Sequence, residues 1–547
     1  MRRPVLFAAI LAFAALPVFG QSAPEEPHIS PEGVRAHVEF LADDLLEGRN
    51  AGTRGHEIAA RYVASRFDAM GLKPGGADGG WYQQVPLTEY SLDTKVPPTV
   101  SIGNATFDNG REVIVGPATQ PELAQQSLNS DVVFVGYGID DKKLGRDDYR
   151  GVDARGKLVA MLTGTPPGIT GDAATAAMAS KPAAAVAHGA TGVIAIMTPE
   201  SLQRYPWATI AGYMERPGTG LAEQGDEPGI TVYTTGTAAE ALFAGSPKTL
   251  AQVMAEATKP GSKLRPFSLK QRVAITRASK VRTVNSPNVL GILPGSDPAL
   301  ANEYVLVMAH LDHEGIDPTL KGDQIYNGAM DNAAGTATML EAARAFVESG
   351  HKPKRSILFA AVTAEEKGLL GSEWLASHPL PAGGKVVAVV NLDMPILLYD
   401  FTDVVAFGAE HSTMGPTVAA AAAKMGVKLS PDPMPEENLF MRSDHFSFVQ
   451  AGVPSVFLVT GFANGGEKAF RDFLANHYHK VSDQIDQPFD WKAGAKFATL
   501  NYRIAAEIAD APQAPRWYAG DAFGQMYAPN APTAPAPAEA APEKGRK

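Results

Sequence analysis

The stretch Tyr304-Val305-Leu306-Val307-Met308-Ala309-His310-Leu311-Asp312-His313 decides how the chain is read. An apolar run from Tyr304 to Ala309 reads as a buried strand, and it stops on His310, Asp312 and His313. The strand period of two puts His310 and Asp312 on one face. From Pro287 onward the same alternation recurs. Candidate strands are Tyr304 to Ala309, Ser356 to Thr363, Val386 to Leu392, Val404 to Phe407 and Ser455 to Val459. Candidate helices are Ala334 to Glu348, Leu369 to Ala376, Gly415 to Met425 and Lys468 to Ala475. Buried strands alternating with helices predict an α/β fold, a mostly parallel mixed sheet sandwiched by helices.

Outward from this region the character changes. Val34, Val38, Leu41 and Leu45 recur at helical spacing, and Ala59, Tyr62, Val63, Phe67 and Met70 mark a second amphipathic helix ending at Gly71. Between them lies the glycine-rich loop Glu47 to Gly55, which holds Arg49 and Arg54 and reads as a turn or as part of a cleft. From residue 89 to 260 the turns are frequent. Asp131 to Val135, Lys157 to Leu162 and Gly192 to Ile196 are β-branched runs around an alanine-rich helical segment, Met178 to Gly189, which predicts a separate small β-rich insert. The expected layout is a signal at 1–20, the start of the main domain at 28–88, the insert at 89–260, the main domain at 261–511 and a Pro/Ala-rich disordered tail at 512–547.

Composition excludes several classes. Among 547 residues, 45% are hydrophobic and 20% charged, a globular balance. With 48 Lys and Arg against 59 Asp and Glu, the net charge of −11 argues against general affinity for nucleic acid or an anionic membrane. Cysteine is absent, so no disulfide, thiolate nucleophile or cysteinyl metal site exists. Any metal must be held by His, Asp and Glu. Arg2 and Arg3 precede an apolar run from Val5 to Leu16, too short to cross about 30 Å of hydrocarbon. This predicts a cleaved signal and an exported protein, periplasmic or secreted, without stable membrane insertion.

Acids and histidines gather where the strands end. The His310/Asp312 spacing suits an imidazole whose ring is fixed by a nearby carboxylate. Asp331 and Asn332 open a helix, where both types also serve as N-caps. The strand from Ser356 stops at Glu365 and Glu366, adjacent acids pointing different ways, so one can bind a metal while the other reaches the water it carries. Val389 to Asp393 puts another acid after a strand, and His477 to Asp483 follows a helix. Each site alone has an ordinary structural reading. Together, two histidines, three carboxylates and a spare glutamate suit two Zn2+ ions bridged by one carboxylate. Such two-metal sites perform hydrolysis. This chemistry leaves the scissile bond open.

The ordered segments HLDH, GAMDNAAG, TAEEKGLLGS, NLDM, RSDHFSF and YHKVSD resemble the co-catalytic zinc aminopeptidases related to bacterial leucyl aminopeptidase and glutamate carboxypeptidase II, peptidase family M28. The segments VVFVGYGI, DARGKLVAML and AHGATGVIAI are similar to the protease-associated domain inserted in many of them. The resemblance implies that His310, Asp331 and Asp393 hold one zinc and that Asp331, Glu366 and His479 hold the other, with Asp331 as the bridge. It implies Glu365 as general base and acid, Asp312 as the group that orients His310, and a cis peptide after Asp331. His313 and His477 sit beside ligands without an assigned role. Some relatives polarise the substrate carbonyl with a tyrosine; Phe440, Met441 and Arg442 stand where one is sought, leaving Arg442 as the candidate. Asp444 and His445 are expected to form a hydrogen-bonded pair behind the site. The implied activity is removal of N-terminal residues from peptides. The rivals are a carboxypeptidase or dipeptidase with the same dizinc chemistry, a non-catalytic peptide-binding scaffold, and cyclisation of N-terminal glutamine with one zinc. Oligomeric state stays open.

Overall fold

A computed structural model describes residues 27–223, 228–380 and 383–537. The expected signal at 1–20 lies outside them. Nine strands form one path: β1 (Tyr82–Leu92), β2 (Gly218–Leu221), β3 (Val273–Leu293), β4 (Glu303–His310), β5 (Ser356–Val362), β6 (Lys385–Leu392), β7 (Asp403–Phe407), β8 (Lys428–Ser430) and β9 (Ser455–Thr460). Their order is β2-β1-β3-β5-β4-β6-β9-β7-β8. The centre, β5-β4-β6-β9, is parallel. Antiparallel pairs flank it at β3/β5 and β9/β7, so the sheet is mixed, as expected.

The helices that matter to the site are α1 (Pro31–Leu41), α2 (Arg54–Met70), α3 (Gly335–Glu348), α4 (Leu370–Ser377), α5 (Gly466–Asn476), α6 (Trp491–Asp510) and α7 (Ala522–Tyr527). One sheet face, including Val305, Val307, Phe359 and Val390, packs with Val38 of α1, Phe67 of α2, Leu340 of α3 and Leu500 of α6. The other, including Leu306, Met308, Leu358 and Val389, packs with Leu375 of α4 and with Phe448. Parallel crossovers put helices on both faces, so the central strands need apolar residues at every position. Each such side chain contributes about 1.5–3 kcal/mol on burial. No helix among the described residues is long and apolar enough to cross a membrane.

The insert differs from its reading in two ways. Its six-stranded sheet runs Phe267–Ser268, Val132–Phe134, Leu158–Leu162, Gly192–Ile196, Thr231–Thr234, Val113–Val115, and the four central strands are parallel. Helix Gly171–Ala187 lies between the strands at 158–162 and 192–196. The unit is therefore layered α/β rather than β-rich, because parallel neighbours need a crossover. Its limits also overrun 89–260. Residues of β1 on both sides of Glu89 pair with β3, and β3 serves two sheets: Val273–Ala278 pairs with Gln125–Ser130, whereas Val289–Leu293 pairs with β5. Turn frequency marks a change of character but not a strand shared by two units.

The tail reading is corrected as far as Pro537. Trp517, Phe523 and Ala534 are buried, and the Trp517 indole donates to Gly452 O at 2.9 Å. Asp521 caps α7 through Gly524 N at 2.8 Å. A few aromatic anchors outweigh a Pro/Ala-rich composition because each buries a large apolar area. Residues 538–547 lie outside the described set.

Candidate metal centre

Register brings the candidate residues to one end of the sheet. His310 ends β4 opposite Val362 of β5, and Met308 pairs with Asn391 of β6. Asp393 follows β6, and Glu365 and Glu366 follow β5 after a turn at Ala364, whose φ is 55°. All three segments leave the carboxyl ends of adjacent parallel strands, where α/β sheets place their sites. Asp331 arrives on the irregular turn Ala329–Ala334 before α3, and the Asp331–Asn332 peptide is cis. The Asn332 amide donates to Leu392 O at 2.9 Å and its oxygen accepts from Gly335 N at 2.9 Å, which ties this turn to the Asp393 segment. Asp483 accepts from Met330 N and Asp331 N, both at 2.9 Å. His479 follows α5 with φ 53°.

Five predicted ligand residues converge. His310 Nε2 lies 3.2 Å from Asp331 Oδ1 and 3.1 Å from Asp393 Oδ1. His479 Nε2 lies 3.3 Å from Asp331 Oδ2 and 3.0 Å from Glu366 Oε2. Asp331 thus turns one oxygen to each imidazole. Zinc holds nitrogen and oxygen ligands at about 2.0–2.2 Å, so tetrahedral neighbours stand roughly 3.3 Å apart. The donor spacing and the all-nitrogen-and-oxygen chemistry fit zinc: His310, Asp331 and Asp393 on one side, Asp331, Glu366 and His479 on the other.

The electrostatics point the same way. Burial opposes charge on His310, but Asp393, Glu365 and Asp331 outweigh it and raise its pKa well above the usual range. Burial likewise opposes charge on His479, yet Asp331 and Glu366 raise it to about 11. Burial disfavours the charged forms of Asp331 and Glu366; their histidine partners nevertheless hold the first well below the ordinary carboxylate range and the second at about 2. A positive charge is wanted between these acids, and a divalent ion displaces the protons that otherwise supply it. Glu365 behaves oppositely. Burial, with Glu366, Asp393 and Asp444 nearby, raises its pKa well above the usual value against the pull of His310. A carboxyl so placed holds a proton more readily than a free one, because burial and like charges both disfavour its ionised form.

Some partners differ from expectation. The Nδ1 of His310 lies 3.2 Å from the main-chain oxygen of Asp312, whereas the Asp312 carboxylate is 4.0 Å away. That carboxylate instead accepts from Glu365 N at 3.1 Å and Glu366 N at 3.4 Å, so it positions the acidic pair. Strand period predicts a shared face but not which group fills the gap. Asp444 and His445 are fully buried, and the expected bond between them is not made. Burial raises Asp444 to about 7 and lowers His445 to about 3. His477 Nδ1 lies 3.0 Å from Ser482 O.

Other residues were beyond sequence reasoning. His313 Nδ1 lies 2.6 Å from Glu366 Oε1. Glu314 groups with Glu366 and His479 as potential ligands, with its Oε1 3.8 Å from His479 Nδ1. Tyr478 lines the small pocket formed by Asp331, Glu365 and Asp393, together with Arg442, Leu439 and Phe457. Burial and the surrounding carboxylates raise its phenol pKa, so it remains a hydrogen-bond donor. Its signal was its place directly before His479. A larger cavity of about 410 Å³ lies between Arg54, Tyr82 and Pro287, and none of the predicted site residues lines it.

Residues 288–505, the segment that carries the clustered histidines and carboxylates, match the model of peptidase family M28. That segment is thus similar to peptidase family M28. Similarity extends to a probable zinc metalloprotease of Pyrenophora teres f. teres (39% identity over 112 residues, 20% of this chain and 23% of that protein). It includes leucine aminopeptidase 1 of Colletotrichum graminicola (30% over 196 residues, 34% and 46%) and a glutamate carboxypeptidase 2 homolog of Caenorhabditis elegans (28% over 425 residues, 67% and 51%). The chain thus spans about a quarter to about half the length of these relatives. Among solved structures, the aminopeptidase from Aneurinibacillus sp. strain AM-1 shares the fold at 20% identity, with a TM-score of 0.50 over 89% of this chain and 95% of that one.

Proposed function

We propose that the chain is an exported dizinc aminopeptidase that removes N-terminal residues from peptides. The reading rests chiefly on Asp331, which offers Oδ1 to His310 and Oδ2 to His479 beside the pocket that Glu365 enters. That is the arrangement required of a carboxylate shared between two ions. Zinc, when bound, supplies Lewis acidity and a site for water activation. Glu365 takes a proton from the attacking water and returns it to the leaving amine. Tyr478 donates a hydrogen bond to the carbonyl oxygen as negative charge develops on it. Preference for an N-terminus is supported by the similarity to leucine aminopeptidase 1 of Colletotrichum graminicola. Export is supported by the pattern of residues 1–20, and the protease-associated character of the insert by its sequence resemblance.

One observation favours a second reading. Arg442 lines the same pocket and is half exposed, 3.6 Å from Glu437, so it is available to a substrate carboxylate, as a carboxypeptidase needs. The two separate on one peptide with a free N-terminus and its N-acetylated twin, each with and without a zinc chelator. Chelator-sensitive release from the N-terminus of the free peptide alone supports the aminopeptidase. Equal release from the twin overturns it in favour of a carboxypeptidase or endopeptidase.

A further inference from the structure

The glycine-rich loop before α2 takes no part in the reaction above, yet its backbone is unusual. Glu47, Gly48 and Arg49 are consecutive left-handed residues, with φ of 51°, 67° and 51°. Two of the three carry side chains, for which this conformation is unfavourable, and it persists where surrounding structure imposes it. Gly48 is required by close approach: a Cβ there would lie 2.5 Å from Gly315 O and 2.6 Å from Tyr326 O. The turn delivers Arg49 underneath the metal-bearing segments, where it is 1% exposed.

Every hydrogen bond of its guanidinium goes to a main-chain carbonyl. Nε donates to Leu311 O at 2.9 Å, Nη2 to Gly328 O at 3.1 Å, and Nη1 to Asn327 O at 2.6 Å and to Leu41 O. Leu311 lies between His310 and Asp312, and Gly328 lies three residues before Asp331. Arg49 therefore holds two segments that each deliver a candidate ligand to the same ion. Its own carbonyl accepts from His313 N at 3.4 Å. Asp312, Asp331, Glu366 and Asp483 are near enough to attract its charge, but it bonds to none of them, so their oxygens stay free for other partners.

A rigid planar fork with five N–H groups fixes the separation and orientation of carbonyls on both its sides. A lysine ammonium is a point donor on a flexible stem and cannot hold two strands of carbonyls at a set spacing. We propose that Arg49 is a positioning residue: it sets the distance between the His310 and Asp331 segments and thereby the affinity of the zinc they share. This deepens the metal-centre reading and rests on it.

The test is zinc titration of the full chain against a competing chelator for wild type, Arg49→Lys, Arg49→Ala with and without added guanidinium, and Phe67→Leu. The last is a control that loosens the α2 core at a residue whose ring packs on Trp81 and Phe359. Outer partners of ligands affect metal affinity by about 10–100-fold. Arg49→Lys is expected to stay folded by circular dichroism and to bind zinc about 10–100-fold more weakly. Guanidinium is expected to restore part of the affinity lost in Arg49→Ala, and Phe67→Leu to lower the melting temperature with zinc affinity unchanged. Should Arg49→Ala not fold, Arg49→Lys decides. Wild-type affinity in Arg49→Lys, or an equal loss in Phe67→Leu, overturns the role of Arg49. A wild-type chain that takes up no zinc is a different result, which overturns the metal-centre reading itself.

Discussion

His313 Nδ1 stands 2.6 Å from Glu366 Oε1, and both side chains are almost wholly removed from solvent. The contact occupies one oxygen of Glu366 and leaves Oε2 toward His479 at 3.0 Å. His313 thus selects which oxygen of Glu366 is offered to a metal. Replacing it with Phe removes the donor, and zinc affinity on the Glu366/His479 side is expected to fall about 10–100-fold. His313→Gln keeps an N–H donor and should lose less. Zinc titration checks both, and equal affinities in all three proteins would contradict the assignment.

Glu365 opens onto the pocket without a place among the five clustered ligands. Glu365→Gln is expected to retain zinc and lose about 10²–10⁴-fold in kcat. Metal analysis and peptide turnover on the same preparation check this. Substantial turnover in a protein free of wild-type contamination would remove Glu365 from its role.

Tyr478 supplies the hydroxyl that the Phe440–Arg442 segment lacks. Loss of one donor to a developing oxyanion costs about 10²–10³-fold. Tyr478→Phe should therefore lower kcat by about that factor with KM little changed, whereas Arg442→Met should act mainly on KM. Steady-state kinetics on one short peptide distinguish the two, and an unchanged kcat in Tyr478→Phe returns the carbonyl contact to Arg442.

His56 is fully buried on α2, with Nε2 3.3 Å from Pro287 O and Nδ1 unpartnered. Burial lowers its pKa to about 4, against roughly 6.5 in an unfolded chain. Between these values the unfolded state binds more protons, so stability falls as pH falls through that window. The full effect is about 3 kcal/mol, reached below pH 4, at about 1.4 kcal/mol per pH unit. His56→Gln removes this contribution. Urea midpoints at pH 7, 6, 5 and 4.5 should show the wild type losing its advantage, or deepening its deficit, relative to the variant as pH falls. Parallel pH slopes would contradict the linkage.

Trp517 is 2% exposed and packs with Val449 and Phe440, beside the Leu439–Arg442 wall of the pocket. Trp517→Ala should destabilise the protein by about 3–5 kcal/mol, the cost of a large cavity in a core. Equilibrium urea unfolding measures it. A change under about 0.5 kcal/mol, usual for an exposed position, would restore the disordered reading of the tail.

What the sequence alone determined is the layered architecture and the type of chemistry. The apolar runs ending at His310, before Glu365 and at Asp393 are legible because strands covered on both faces leave no polar gaps until the chain emerges at the sheet edge. The Tyr304 to Ala309 reading falls within the observed Glu303–His310. The absence of cysteine restricted any metal to nitrogen and oxygen ligands. Tertiary structure decided which group serves which. Asp312 turns its carboxylate to the amides of Glu365 and Glu366, Arg49 reaches carbonyls 262 and 278 residues away, and Trp517 anchors a tail whose composition suggests disorder. Periodicity records the side of an element on which a residue lies, because that depends only on local geometry. Its partner depends on how distant segments pack, and no local pattern carries that distance.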